Sequence, residues 1–167
     1  MELMDVIHQR RSIRKYKSDP VPEADIEYIL EAARLAPSWA NSQCWKFIVI
    51  KDENVKHQLA KAGNGWIADA PVIIAACANP VKSGIKADQQ YYMLDIGIAM
   101  EHLILAATER GLGTCWIGWF DEEPAKKALG VPDNIRLVAT TPLGYPDESP
   151  KPRGRKELSE ITSFEKY

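Results

Sequence analysis

Apolar positions along the chain recur at two spacings, and the switches between them divide it into elements. Leu3, Val6 and Ile7 fall at helical spacing, so a first helix delivers Arg10 and Arg11 at its C-terminal end. Val21-Pro22-Glu23 opens a second helix, with Pro22 suited to the first turn and Ile26, Ile29, Leu30 and Ala33 on its buried face. That helix stops before Pro37. Residues 46–50 and 72–77 read as buried strands. Between them Asp52 caps a short helix containing Val55 and Leu59, and the Gly63-Asn64-Gly65 loop follows.

Residues 79–86, with Pro80, Ser83 and Gly84, read as a flexible excursion and a candidate lid. The longest helix is expected over 88–110, with Asp88 as N-cap and Gly111 just past its end. Met93, Ile96, Gly97, Met100, Leu103, Ile104 and Ala107 form one stripe, yet Leu94, Ile98, Leu105 and Ala106 make the helix apolar nearly all round. A helix of that kind is buried on every side. In so small a protein this favours a helix shared with a second copy, an obligate homodimer. Asp95 lies within it, and its expected role is a structural hydrogen bond rather than catalysis. A third strand is expected at 114–119, a helix capped by Asp121 and running to Leu129, and a last long strand at 135–143. Residues 147–167 read as an extended arm with Leu158, Ile161 and Phe164 as anchors, or else as a solvated tail.

The 167 residues suit one domain, 1–167, and with 46% hydrophobic and 26% charged residues the chain should fold. A net charge of −2 argues against nucleic acid as the main partner. Three cysteines at wide spacing, none in a paired motif, suit reduced thiols and a cytoplasmic protein. No secretory signal is visible, since Glu2 and Asp5 stand where a basic start would. The longest apolar stretch is broken by Glu101 and His102, so no membrane span is expected.

Cations concentrate at 10–17 and 151–156. Arg10-Arg11-Ser12-Ile13-Arg14-Lys15-Tyr16 sets three arginines and a hydroxyl within five positions, an anion clamp in which guanidinium forks each bond two phosphate oxygens. A solvated basic face, favoured at a helix C-terminus by the dipole, is the alternative. Asn41, Ser42 and Gln43 can read the edge of a heterocycle, or merely satisfy their own backbone in an Asx-type turn. Gly111-Leu112-Gly113 is no dinucleotide fingerprint, because it follows a helix and opens a strand. His8, His57 and His102 are scattered, and no metal-binding or hydrolytic motif occurs. Two arginine sets, an amide-rich loop and many aromatics suit a phosphorylated aromatic cofactor that brings its own chemistry.

These pieces occur in the order of the nitroreductase family of FMN-dependent NAD(P)H oxidoreductases. Residues 10–14 with Tyr16 and Pro20-Val21-Pro22 resemble its opening signature, and Ala36-Pro37-Ser38 through Asn41, Gln43 and Trp45 its second motif. Gly111-Leu112-Gly113-Thr114 with Trp116-Ile117-Gly118 resembles the third, and Leu143-Gly144-Tyr145-Pro146 followed by Arg153 and Arg155 the last. The resemblance implies an α+β three-layer sandwich with a mostly antiparallel sheet, in an intertwined dimer with exchanged C-terminal arms and FMN at the interface. It implies that Arg10, Ser12, Arg153 and Arg155 grip the FMN phosphate, that Arg11 lies beside it or the ribityl chain, and that Arg14 faces the pyrimidine edge. Pro37, Ser38 and Asn41 of the other subunit would contact the flavin, with Gln43 nearby and Ile117 and Gly118 approaching from the remaining side. Trp39, Trp119 and Phe120 would line the substrate pocket, Trp39 narrowing it. No metal is implied. The implied reaction is ping-pong, with hydride passing from NAD(P)H to flavin N5 and on to a nitroaromatic, quinone or flavin acceptor. The sequence departs from the family at Gly118, where larger members carry glutamate, and at Cys44, which we read as a small hydrophobe. Reductive dehalogenation within the same fold and a non-enzymatic module binding a phosphorylated ligand are the rival readings.

Overall fold

The computed structural model describes residues 2–167. Its centre is β2 (Val72–Ala78), a strand buried at every position. With a two-residue period, Val72, Ile74, Ala76 and Ala78 point to one face and Ile73, Ala75 and Cys77 to the other. Both faces must therefore be covered. α2 (Glu23–Arg34) and α4 (Tyr91–Glu109) cover the first, burying Ile26, Ile29, Ile96, Met100 and Leu103. α3 (Glu53–Ala60) and α5 (Glu122–Leu129) cover the second with Leu59 and Ala125.

β1 (Trp45–Ile50), β5 (Gly113–Thr114) and β6 (Arg136–Gly144) complete a sheet of order β1-β2-β6-β5, antiparallel throughout. The result is the α+β layering expected, with helices on both sides of an antiparallel sheet. Asp52 caps α3 as expected, its carboxylate accepting from the Val55 N–H at 3.0 Å. Pro22 takes the N-cap position of α2, one residue outside the expected first turn.

Four expectations are corrected. Asp88 does not cap the long helix, which begins at Tyr91 behind Gln90. Instead Ala87 and Asp88, at φ 50° and 63°, turn a small hairpin between β3 (Ile85–Lys86) and β4 (Gln89–Gln90). The segment 79–86 is thus not a featureless excursion: a 3₁₀ turn, Pro80–Lys82, leads into this hairpin. The strand expected at 114–119 ends at Thr114, because the Cys115 N–H turns to Thr141 Oγ1 (3.1 Å) and only Ile117 rejoins the sheet, by one bridge to Thr140. Asp121 stands at the N-cap of α5 without a capping bond from its side chain.

α4 is not buried on every side within the chain. Met93, Leu94 and Ile98 remain 50%, 55% and 40% exposed, and Leu3, Met4 and Ile7 of α1 (Leu3–Gln9), which packs beside α4, are exposed as well. The sheet covers one side of α4, and among the described residues no element covers this one. Beyond β6 the arm carries α6 (Leu158–Ile161), closed by reciprocal capping between Glu157 and Glu160, with Leu158, Ile161 and Phe164 exposed. Among the described residues no helix is long and apolar enough to cross a membrane.

Ile74 is fully buried in the α2–α4 layer. Ile74→Ala is expected to cost about 2–5 kcal/mol of stability in urea unfolding, through lost transfer energy and the cavity left behind. A loss under about 0.5 kcal/mol would show that the sheet does not depend on this layer.

Candidate functional site

The cationic stretch is bonded to the edge of the sheet. Ser12 forms a parallel bridge with Thr114, the Ile13 N–H donates to the Thr114 carbonyl at 2.8 Å, and Tyr16 bridges Pro146. Extended backbone places alternate side chains together. Ile13 goes inward, 5% exposed, against Gly113, where a Cβ would fall 2.9 Å from the Ile13 side chain. By the same alternation Arg10, Ser12 and Arg14 fall on the other side, and all three act on the Cys115 thiol. Burial pushes that thiol up, while Arg14, the Ser12 hydroxyl and Arg10 draw it down and Glu148 opposes them. A hydroxyl and two guanidinium groups on one face, with no carboxylate ion-paired to either guanidinium among the described residues, is a donor set suited to phosphate.

Arg11 is differently placed. Its Nη1 donates to the carbonyls of His8 (2.6 Å) and Arg10 (2.7 Å), satisfying the end of α1. Glu148 accepts from the backbone N–H groups of Arg14 and Lys15, holding the base of the arm against the clamp. Arg153 and Arg155 lie farther along and are exposed, Arg155 donating only to the carbonyls of Arg153 and Gly154. Among the described residues no hydrogen bond or ion pair joins the two arginine sets within one chain.

The amide-rich loop holds a short 3₁₀ turn, Trp39–Asn41; Ala40 and Asn41 within it and Gln43 just after it have φ of 46°, 55° and 46°. For Ala40 and Gln43 this left-handed backbone costs roughly 1–2 kcal/mol each. The Gln43 N–H donates to Ser38 Oγ at 3.0 Å and Gln43 Nε2 to Asn41 Oδ1 at 3.3 Å, so part of the local-turn reading holds. Asn41 and Gln43 stay exposed, and Trp39 is 46% exposed.

Both ends of the loop are tied to Asp95, which is 2% exposed. Its Oδ1 accepts from the Trp39 N–H (2.7 Å), and its Oδ2 from the Ser83 hydroxyl (2.9 Å) and the Cys44 thiol (3.4 Å). The structural role expected of Asp95 is thus what the hydrogen bonds show. Burial, then the Asp95 carboxylate, pushes Cys44 up to about 11, the Ser42 hydroxyl acting the other way. That suits a packing residue rather than a redox thiolate.

Ile117 spends both backbone groups on Thr140, at 2.9 Å each. Among the described residues the next N–H, of Gly118, has no backbone partner, and Gly118 is exposed. A Cβ there would meet the Trp116 ring at 2.7 Å, so a glutamate at this position would have to displace that indole. Gly118, Trp119 and Phe120 line a cavity of about 370 Å³ with Ala62, Gly63 and Asp121. Trp119 is 91% exposed, its carbonyl held by Asn64 Nδ2 at 2.7 Å. Trp39 does not line this cavity. The sequence-predicted residues therefore stand in four places on one chain: the clamp at 10–14, the loop at 37–43, the ledge at 117–120 and the arm at Arg153 and Arg155.

The sequence model of the nitroreductase family matches residues 7–63 and 56–145, which takes in the clamp, the loop and the ledge. The chain belongs to the nitroreductase family. A relative from Archaeoglobus fulgidus, whose name pairs NADH dehydrogenase with NAD(P)H nitroreductase, is 37% identical over 88% of this chain and 87% of its own. An iodotyrosine deiodinase of Thermotoga neapolitana is 25% identical over 90% and 91%. Among solved structures, a nitroreductase family protein of Clostridium difficile 630 superposes with a TM-score of 0.91, at 31% identity over the whole of both chains. An FMN-dependent nitroreductase of Clostridium difficile R20291 gives 0.87, at 29% identity over 98% and 99%. The nitroreductase fold and an oxidoreductase ancestry follow.

Burial likewise pushes Cys77 to about 11. In an unfolded chain these thiols would titrate near 9.0, so above that pH the unfolded state sheds protons that the folded state keeps. Stability is expected to fall as pH rises from about 9 toward 11, and the native cysteines should resist iodoacetamide at neutral pH. Rapid labelling of Cys44 in the folded protein at pH 7.5 would contradict this.

Proposed function

We propose that this nitroreductase is an FMN-dependent NAD(P)H oxidoreductase, one domain over 1–167 acting as a homodimer on small electron acceptors: nitroaromatics, quinones or flavins. The observation that carries the reading is the placement of Arg10, Ser12 and Arg14 on one side of a segment bonded to the sheet edge at Thr114, three residues before the ledge at 117–120 with its exposed Gly118. Those groups suit a phosphorylated flavin. Arg10 and Ser12, with Arg153 and Arg155 from the arm, would hold the phosphate; Arg14 would face the pyrimidine edge, and Pro37, Ser38, Asn41 and Gln43 would close the site across the dimer. Arg11 would add positive potential near the phosphate while its guanidinium caps α1. FMN, when bound, supplies hydride exchange at N5, which a ping-pong cycle serves by admitting NAD(P)H and acceptor in turn.

The chain's own contribution is positioning and charge. Arg14 favours negative charge gathering beside it, so Arg14→Gln should make bound FMN harder to reduce. Gly118 offers a backbone donor without side-chain bulk. Trp119 and Phe120 give acceptors an aromatic wall, with Trp39 restricting the opening. The exposed face of Met93, Leu94 and Ile98, with α1 beside it, supports the dimer, since apolar patches of this kind mark interfaces. Leu158, Ile161 and Phe164 suit an arm that packs on the partner. The deiodinase relatives favour one second reading, reductive dehalogenation at the same site, which halide release from an iodinated phenol with reductant present would reveal.

Two measurements test the assignment. Arg10→Ala should weaken FMN binding about tenfold or more, by removing charge-assisted hydrogen bonds, whereas Lys61→Ala should leave it near the parent value. Equal affinities in a fluorescence titration would refute the clamp. Ile98→Asp should shift the protein from dimer to monomer in light scattering, because an aspartate would be desolvated at the apolar interface; an unchanged dimer would place the interface elsewhere.

A further inference from the structure

Asp95 touches neither the clamp nor the ledge, yet it joins two segments that are far apart in sequence. Through the Trp39 N–H and the Cys44 thiol it closes the loop that carries the left-handed residues Ala40, Asn41 and Gln43. Through the Ser83 hydroxyl it ties that loop to the segment 79–86. Two further contacts run between the same segments. The Asn79 N–H donates to the Cys44 carbonyl at 2.8 Å, and Gly84 lies so close on the Trp39 indole that a Cβ would fall 2.4 Å from Cε2. The Gly84 carbonyl accepts from the Tyr91 N–H at 2.9 Å, fastening the segment to the start of α4.

The contacts differ in what they cost to break. Asp95 and the Cys44 thiol belong to the buried interior, where an unpaired group is expensive. The Ser83 hydroxyl is only half-buried, and water can replace it. One side of the Trp39 indole is therefore covered by a removable strap, and the rest of the ring, 46% exposed overall, is open.

We infer that Asp95 is a positioning residue which, with the Ser83–Gly84 strap, latches the Trp39 indole as a size gate that favours flat single-ring acceptors over fused-ring ones. The inference rests on the flavoenzyme reading, which places the Trp39 loop at the acceptor side of the site. Loosening the strap frees the indole to move aside, so the gate relaxes without touching the clamp. Gly84→Ala acts on the same joint from the other side, since its methyl group and the ring cannot occupy the same space.

The test uses Ser83→Ala, Ser83→Thr, Gly84→Ala and Asp95→Asn in the full-length protein. In the FMN-free chain, acrylamide quenching of Trp39, isolated by subtracting matched Trp39→Phe variants, should rise in Ser83→Ala and Gly84→Ala and return to the parent value in Ser83→Thr, which keeps the hydroxyl. In the FMN-loaded enzyme, kcat/KM for the two-ring quinone menadione relative to one-ring benzoquinone should rise about threefold or more in Ser83→Ala and Gly84→Ala. Asp95→Asn, if it folds, should raise both readouts further; if it does not, the other three variants decide. Unchanged quenching overturns the latch, and an unchanged acceptor ratio overturns the gate. A parent protein that binds no FMN overturns the flavoenzyme reading and the gate with it, while the quenching series still decides whether Asp95 and Ser83 hold Trp39.

Discussion

Everything in this molecule hangs on a strand that has no polar face. β2 buries side chains to both sides, so the sheet must be a middle layer and cannot offer a broad surface for binding. What is left for function is the periphery: the edge beyond β5, the turn after β1's neighbour α2, and the open side of α4. The clamp occupies the first of these, pinned by the Ile13–Thr114 hydrogen bond. The Trp39 loop occupies the second and leans on α4 through Asp95. Rigid elements hold each piece, while the candidate site groups remain on loops and edges.

The sequence disclosed the elements whose pattern is decided locally. Val72-Ile-Ile-Ala-Ala-Cys is apolar at every position and can only be a strand buried twice over; Asp52 precedes its helix and caps it. It misled where a local signal had a second meaning. Asp88 stands before a long apolar helix as a cap would, but a left-handed pair, Ala87-Asp88, can also turn a hairpin, and no glycine announced it. The stretch after Thr114 looked like continuing strand because β-forming residues run on to Trp119. Its geometry was decided instead by Thr141, a side chain 26 positions away that takes the Cys115 N–H.

The candidate site divides in the same way. The alternation Arg10-x-Ser12-x-Arg14 was enough to put those three on one face once the segment was extended, and a period of two is a property of backbone alone. Arg11 falls between them and faces the other way, where the carbonyls of His8 and Arg10 need donors; the helix-end role that the dipole suggests is the one seen. Asp95 was legible as a buried acceptor but not as a junction, since its donors at Trp39, Cys44 and Ser83 come from segments that only the fold brings together.

The loop beside Asp95 shows how a small protein can hold a strained conformation without glycine. Two residues with ordinary side chains, Ala40 and Gln43, adopt left-handed backbone at a cost of about 1–2 kcal/mol each. A single hydrogen bond, worth roughly 0.5–1.5 kcal/mol net, does not offset that. A charged acceptor in the interior does more, because releasing the loop would leave a buried carboxylate short of donors, and hydrogen bonds to charged groups contribute roughly 1.5–3 kcal/mol each. With three donors on one carboxylate, the loop and the carboxylate stabilise each other: the strain persists because relaxing it would strand the charge. The loop is thereby shaped by the interior of its own chain rather than by whatever binds against it, which is what pre-organisation means in physical terms.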